Sequence, residues 1–277
     1  MSNTAVRLIT GFIGAAIILA ILYLAPVWAY VILATAAAFV ATWEFFNLTH
    51  PGDKLGQLHG TALTMAFYGL LVWTNFGHHH APAVVWFATL IAPVSLLLTL
   101  LRPSEIPTAL PRTAALTLGP AYLGATMAMM ALIRSHGTNV QGAGLVLLTM
   151  MFAWMSDTGG YFAGRFIGGP KLYPKVSPNK TWAGSIGGLT AVVLGAVLAH
   201  FTFLPALPLG KGVLLAFVGG AVGQMGDLAE SVLKRSAGVK DSGGILPGHG
   251  GILDRIDALV FCAVAMFVAL ESGWLGI

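Results

Sequence analysis

Three polar stretches in the second half of the chain carry the chemistry that its composition otherwise lacks. In Gly226-Asp227-Leu228-Ala229-Glu230-Ser231-Val232-Leu233-Lys234-Arg235, the residues Asp227, Glu230, Ser231 and Lys234 follow i, i+3, i+4, i+7 spacing and share one helical stripe. Two carboxylates and a hydroxyl form a hard-oxygen set suited to Mg²⁺, and the ammonium at the end of the stripe suits a phosphate. Glu230 and Lys234 read equally well as an i, i+4 salt bridge, which leaves Asp227 unexplained. A glycine-rich string follows, from Lys240 and Asp241 through Gly243-Gly244 and Gly248-His249-Gly250-Gly251 to Asp254, Arg255 and Asp257. Its glycines leave backbone N–H groups free to approach phosphate oxygens, and it runs into a helix whose N-terminus favours anions. Asp254 and Asp257 stand one turn apart with Arg255 turned off their face. Asp254 alone also reads as a helix N-cap, Asp241 as a solvated cap and His249 as a turn residue.

A third polar island starts at Ser156-Asp157-Thr158-Gly159-Gly160 and passes Arg165 to Lys171, Lys175, Ser177-Pro178-Asn179-Lys180-Thr181-Trp182. Basic groups alternate there with hydroxyls and prolines, a composition fit for holding a polyphosphate at a membrane surface. A basic loop touching lipid headgroups accounts for the lysines but not for Asp157-Thr158.

The elements that position these residues are set by composition. Of 277 residues, 57% are hydrophobic and 9% charged, with a mean hydropathy of +0.83. A soluble domain carries about 25% charged residues, so a water-facing surface and a disordered chain are both excluded. The expected class is an all-α polytopic membrane protein. Windows of about 20 apolar residues give about nine transmembrane helices, over 8–25, 27–46, 60–76, 83–101, 113–133, 144–164, 183–204, 212–233 and 254–276. The first reads as a retained helix rather than a signal peptide. The whole is expected to be one integral-membrane domain, with hydrophobic helices over 1–142 and a catalytic half over 143–277.

With the N-terminus in the cytoplasm, all of the 14 Lys and Arg except Arg134 and Lys211 fall on the cytoplasmic side, as the positive-inside rule requires. The net charge of +4 therefore reflects cytoplasmic loops, and nucleic acid is not an expected partner. Asp157, Asp227, Glu230, Asp254 and Asp257 come from the cytoplasmic ends of three late helices. A carboxylate in a spanning helix costs about 2.5–3.5 kcal/mol, so the group needs a counter-ion, and a metal is the economical one. The single cysteine, Cys262, excludes an internal disulfide. His78-His79-His80 reads as a polar outer loop, Trp28, Trp43, Trp73 and Trp274 as interface anchors, and intramembrane Glu44 has no visible partner.

The stretch SVLKRSAGVKDSGGILPGHGGILDRID, Ser231 to Asp257, resembles the signature of phosphatidate cytidylyltransferases (CDP-diacylglycerol synthases). The run from Asp157 to Gly184, with Ser177-Pro178-Asn179-Lys180-Thr181-Trp182, is similar to the same family's second block. Four positions depart from the pattern: Gly160 stands where alanine is usual, Gly169-Pro170 replaces a more basic pair, and Ala183 occupies a site that is often Glu.

The resemblance implies a polytopic helical membrane enzyme; the compactness of the chain suggests a bacterial inner membrane, and the topology above places the site on the cytoplasmic side. Its reaction would be CTP plus phosphatidic acid giving CDP-diacylglycerol and pyrophosphate, with Mg²⁺; a monovalent cation such as K⁺ beside the magnesium, and a homodimer, are arrangements the family allows. Asp227, Asp254, Glu230 and Asp157 are the expected metal ligands, with Asp257 and Lys234 joining Asp227 and Asp254 in catalysis. Arg165, Lys180, Arg235, Lys240 and Arg255 would neutralise phosphates of CTP or lipid, and Ser177, Thr181, Ser231 and His249 would orient them. Two other classes use similar residues: an ion-coupled transporter, through its intramembrane carboxylates, and a lipid or polyprenol kinase, through magnesium and a nucleotide.

Overall fold

The computed structural model describes residues 3–75, 81–101, 106–245 and 250–277; His78–His80 and His249 lie outside them. The described residues form α1 (Asn3–Leu24), α2 (Val27–Thr49), α3 (Lys54–Asn75), α4 (Ala81–Leu101), α5 (Ile106–Gly119) continuing through a π-helical turn (Pro120–Ala125) into α6 (Thr126–Arg134), α7 (Asn139–Phe166), α8 (Trp182–Phe201), α9 (Leu209–Ser236) and α10 (Leu253–Glu271). The nine expected apolar segments lie mainly on these helices, but 183–204 and 254–276 extend beyond the ends of α8 and α10. Several helices overrun the apolar windows, because the helix continues through polar residues at its ends. Among the described residues, six helical stretches are long and apolar enough to cross a membrane: Val27–Thr49, Ala83–Leu101, Ile106–Arg134, Asn139–Phe166, Trp182–Phe201 and Leu209–Ser236. The π turn begins at Pro120, whose ring nitrogen cannot donate to the helical ladder.

One departure from an all-helical chain lies among the described residues. Lys171–Tyr173 (β1) and Ser177–Thr181 (β2) pair antiparallel, with Lys171 opposite Thr181 and Tyr173 opposite Ser177. These strands are short and polar, without the apolar alternation that reveals a half-buried strand, so the segment reads as a loop. Thr181 ends β2 and caps α8, its hydroxyl accepting from the Gly184 N–H at 3.0 Å.

The chain forms two compact units. One comprises Met1–Tyr30, Ile133–Lys240 and Arg255–Ile277; the other comprises Val31–Leu132 and Asp241–Asp254. In the first unit α7 packs along α8, and α8 against α9. Without a hydrophobic drive between helices in lipid, close backbone approach must supply the attraction, and glycines make it here. A Cβ at Gly159 would lie 2.7 Å from the Gly187 carbonyl oxygen, and one at Gly184 2.9 Å from that of Gly160. At Gly160 the nearest atom, the Gly184 oxygen, is 3.3 Å away, so an alanine there needs a shift of only a few tenths of an ångström. Gly159→Ala is therefore expected to cost about 1–3 kcal/mol by forcing the helices apart, and Gly160→Ala clearly less. Thermal unfolding of the two variants in one detergent checks the order.

In the second unit α3 packs on the π turn. A Cβ at Gly124 would meet the Thr64 carbonyl oxygen at 2.8 Å. Phe45 and Phe46, both fully buried, meet edge to face with centroids 5.1 Å apart.

Candidate active site

The first unit holds a cavity of about 580 Å³ between α7, the β1–β2 hairpin, α8 and α9. Asp157, Tyr161 and Arg165 line it from α7, and Asn179, Lys180 and Thr181 from β2. Ser185 on α8, and Gln224 and Asp227 on α9, complete that wall. The hairpin returns the chain over the end of α7, so that Lys180 forms an ion pair with Asp227, 47 residues further on. Both side chains keep partial exposure, 30% for Lys180 and 23% for Asp227, which leaves the pair open to an incoming ion.

Around this pair negative charge accumulates. The Asp157 carboxylate feels Asp227 as a like charge, against the cations Lys180 and Arg255. The Asp257 carboxylate feels Asp227, Glu230 and Asp157, and accepts a hydrogen bond from the Ala258 N–H at 2.7 Å. Helices α7, α9 and α10 thus bring Asp157, Asp227 and Glu230 within electrostatic reach of Asp257. A Cβ at Gly226 would lie 2.8 Å from the Asp257 carbonyl oxygen, so the turn of α9 that carries Asp227 runs close to α10.

Glu230 and Lys234 form the i, i+4 pair, 2.5 Å apart, with side chains 0% and 10% exposed. Removing one member of so buried a pair leaves the other charge uncompensated, at about 3–5 kcal/mol. Lys234→Met is expected to lose stability on that scale, and the double variant Glu230→Gln with Lys234→Met to recover a large part of it, as chemical denaturation in mild detergent would read. Ser231 is nearly buried on the same helix. Arg235 is exposed and donates to the Val239 carbonyl at 2.8 Å, closing the C-terminal end of α9, and Lys240 is exposed beyond it. Arg165 is exposed too and donates to the Tyr161 hydroxyl at 2.8 Å. Ser177 pairs opposite Tyr173 in the hairpin, outside the residues that line the cavity.

Gln224 escaped the sequence reading. Its amide donates to the Ser156 hydroxyl (3.1 Å) and the Ser185 carbonyl (3.0 Å), and accepts from the Ser185 hydroxyl at 2.5 Å. One side chain thereby ties α7, α8 and α9 together one turn before Asp227. An amide in an otherwise apolar stretch of α9 was the signal available.

In the second unit, the Asp254 carboxylate accepts from the Ser242 N–H (3.0 Å), the Ser242 hydroxyl (3.0 Å) and the Gly251 N–H (2.8 Å) through one oxygen, Oδ2. Asp254 stands within the first turn of α10, and the N–H groups it binds precede that helix, so it is not the helix N-cap: its carboxylate ties the preceding loop to α10. Gly250 adopts φ +80°, and a Cβ there would stand 2.8 Å from the same oxygen, so the chain before α10 requires glycine on both counts.

A magnesium ion suits this donor set. Among the described residues no three of His, Cys, Asp and Glu gather as a complete metal cage. Mg²⁺ does not need one: it commonly takes one or two carboxylates and fills its shell with water and substrate phosphates. The surplus of acids around Asp227 offers that number.

A sequence model of the Cytidylyltransferase family matches residues 5–272. The chain is 46% identical over 150 residues to the phosphatidate cytidylyltransferase of Brucella suis, 53% of each protein. It is 46% identical over 138 residues to that of Haemophilus influenzae, 48% of each. With the phosphatidate cytidylyltransferase of Bacillus subtilis, identity is 32% over 265 residues, 95% of this chain and 96% of that one. The matched region spans about half the length of the Brucella and Haemophilus relatives and nearly all of the Bacillus one.

Proposed function

Since the chain belongs to the cytidylyltransferase family, we propose that it transfers the cytidylyl group of CTP to phosphatidic acid, releasing pyrophosphate and forming CDP-diacylglycerol. The observation that carries this reading is the cavity in which Asp157, Asp227 and Lys180 converge. A phosphate monoester oxygen of the lipid attacks the α-phosphorus of CTP, the bond to the β-phosphate oxygen breaks, and pyrophosphate leaves. The lipid phosphate is already an anion near neutral pH, so no strong general base is required. What the protein must supply is alignment and charge compensation.

Asp227 and Asp254 are the first ligands in this reading, with Glu230, Asp257 and Asp157 supporting them. Bound there, Mg²⁺ supplies charge neutralisation at phosphate oxygens; a K⁺ beside it belongs to the same proposal. Lys180 neutralises substrate phosphate in exchange for its pairing with Asp227, and Arg165, at the cavity edge, serves the lipid phosphate. Lys234, Arg235, Lys240 and Arg255 add positive potential. Thr181, Ser177, Ser231 and His249 orient the phosphates.

The same reading takes nine spans, the N-terminus and active site on the cytoplasmic side of a bacterial inner membrane, and a homodimer. The distribution of Lys and Arg supports the orientation, and CTP is a cytosolic nucleotide. Phosphatidate-dependent release of pyrophosphate from CTP by purified protein in mixed micelles tests the activity. Release of CDP instead would make the protein a kinase, and ion flux into liposomes without CTP would make it a transporter.

A further inference from the structure

Glu44, on α2, is 3% exposed and lies 198 residues before the nearest of its partners. Its carboxylate accepts from the Leu253 N–H at 2.8 Å, the Ile252 N–H at 3.2 Å and the Ser242 hydroxyl at 3.3 Å. The first turn of α10 has backbone donors with no helical partner, and a carboxylate is the strongest acceptor for them. The chain around it is shaped to admit that carboxylate. A Cβ at Gly251 would stand 2.5 Å from Glu44 Oε2, and one at Gly243 would collide with the same group. Ser242 then joins two acids, because its hydroxyl lies 3.3 Å from Glu44 and 3.0 Å from Asp254, while its N–H donates to Asp254 as well.

We propose that Glu44 is a positioning residue for Asp254: it clamps Ser242 and the start of α10, and so fixes the direction of the Asp254 carboxylate. Asp254 Oδ2 is held by three donors, Ser242 N–H, Ser242 hydroxyl and Gly251 N–H. Two of these belong to Ser242, which Glu44 also contacts, and the third to Gly251, whose missing Cβ makes room for Glu44. The assignment rests on the proposed role of Asp254 as a ligand, and it gives the N-terminal helices a part in the chemistry.

The test uses Glu44→Gln, which keeps the volume but turns an N–H donor toward the α10 amides, and Ser242→Ala, which cuts the link between the acids without changing charge. Hydrogen exchange of the full-length protein in detergent is expected to speed up at least tenfold at Ile252 and Leu253 in Glu44→Gln, with α7–α9 unchanged. In both variants the Mg²⁺ concentration for half-maximal turnover is expected to rise several-fold, which a mere loss of folded protein cannot produce. Unchanged exchange at those amides, acceleration spread evenly over the helices, or an unchanged Mg²⁺ requirement would each overturn the assignment. Asp254→Asn separates the two layers. Wild-type turnover in that variant would remove Asp254 from the site and this assignment with it, while the exchange data would still report whether Glu44 holds the start of α10.

Discussion

Asp227→Asn is expected to lower CTP-dependent turnover by about 1,000-fold or more, roughly 4 kcal/mol of transition-state stabilisation, while the purified protein keeps its fold. The substitution preserves shape and removes one negative charge from the group formed with Asp157, Glu230 and Asp257. Three consequences follow from that loss. The proposed metal ligand becomes a weak neutral donor, Lys180 loses its ion-pair partner, and the field that gathers cations at the cavity falls. The first acts directly on phosphoryl-type transfer, where positioning and charge compensation supply most of the acceleration. Because Asp227 is partly exposed, its neutralisation leaves no buried orphan charge, and the melting temperature in detergent is expected to stay within a few degrees of the parent. A full-rate Asp227→Asn enzyme would remove this carboxylate from the site.

Lys180→Met is expected to reduce kcat/KM for CTP by about 100-fold or more, with the greater part of the change in KM at saturating lipid. The ammonium reaches Asp227 only because the hairpin folds back over the end of α7. Methionine retains the stem and removes the charge that would meet a phosphate. Arginine keeps the charge but spreads it over a broad planar fork that demands different partners, so Lys180→Arg is expected to recover only part of the loss. Steady-state kinetics on both variants check the prediction. Equal losses in Met and Arg would mean that the geometry of the pair matters more than its charge.

How far the sequence discloses this arrangement depends on the range of the contacts concerned. The helices are legible because twenty apolar residues with one boundary at a polar cluster have few other solutions in lipid. Asp157, Asp227 and Asp257 are legible as a group because each is a costly charge late or early in an apolar helix. The hairpin is not, since its pairing of Lys171 with Thr181 rests on backbone bonds between polar residues with no periodic mark. Glu44 is the clearest failure: an isolated acid on α2 shows no partner within helical reach, and the donors it serves lie at 242 and 252–253. Gln224 is similar, its three hydrogen bonds running to residues 39 and 68 positions away. At the other extreme, Glu230 and Lys234 needed only helical spacing, and the plain salt bridge is the contact they make.

The most direct test of the central claim follows the α-phosphorus of CTP. Purified protein in micelles, supplied with phosphatidate, Mg²⁺ and CTP labelled at the α-phosphate, is expected to move the label into the organic phase, one label per pyrophosphate released. Label that stays in the aqueous phase while γ-labelled CTP marks the lipid would contradict the account, because the protein would then be transferring a phosphoryl group and not a cytidylyl group.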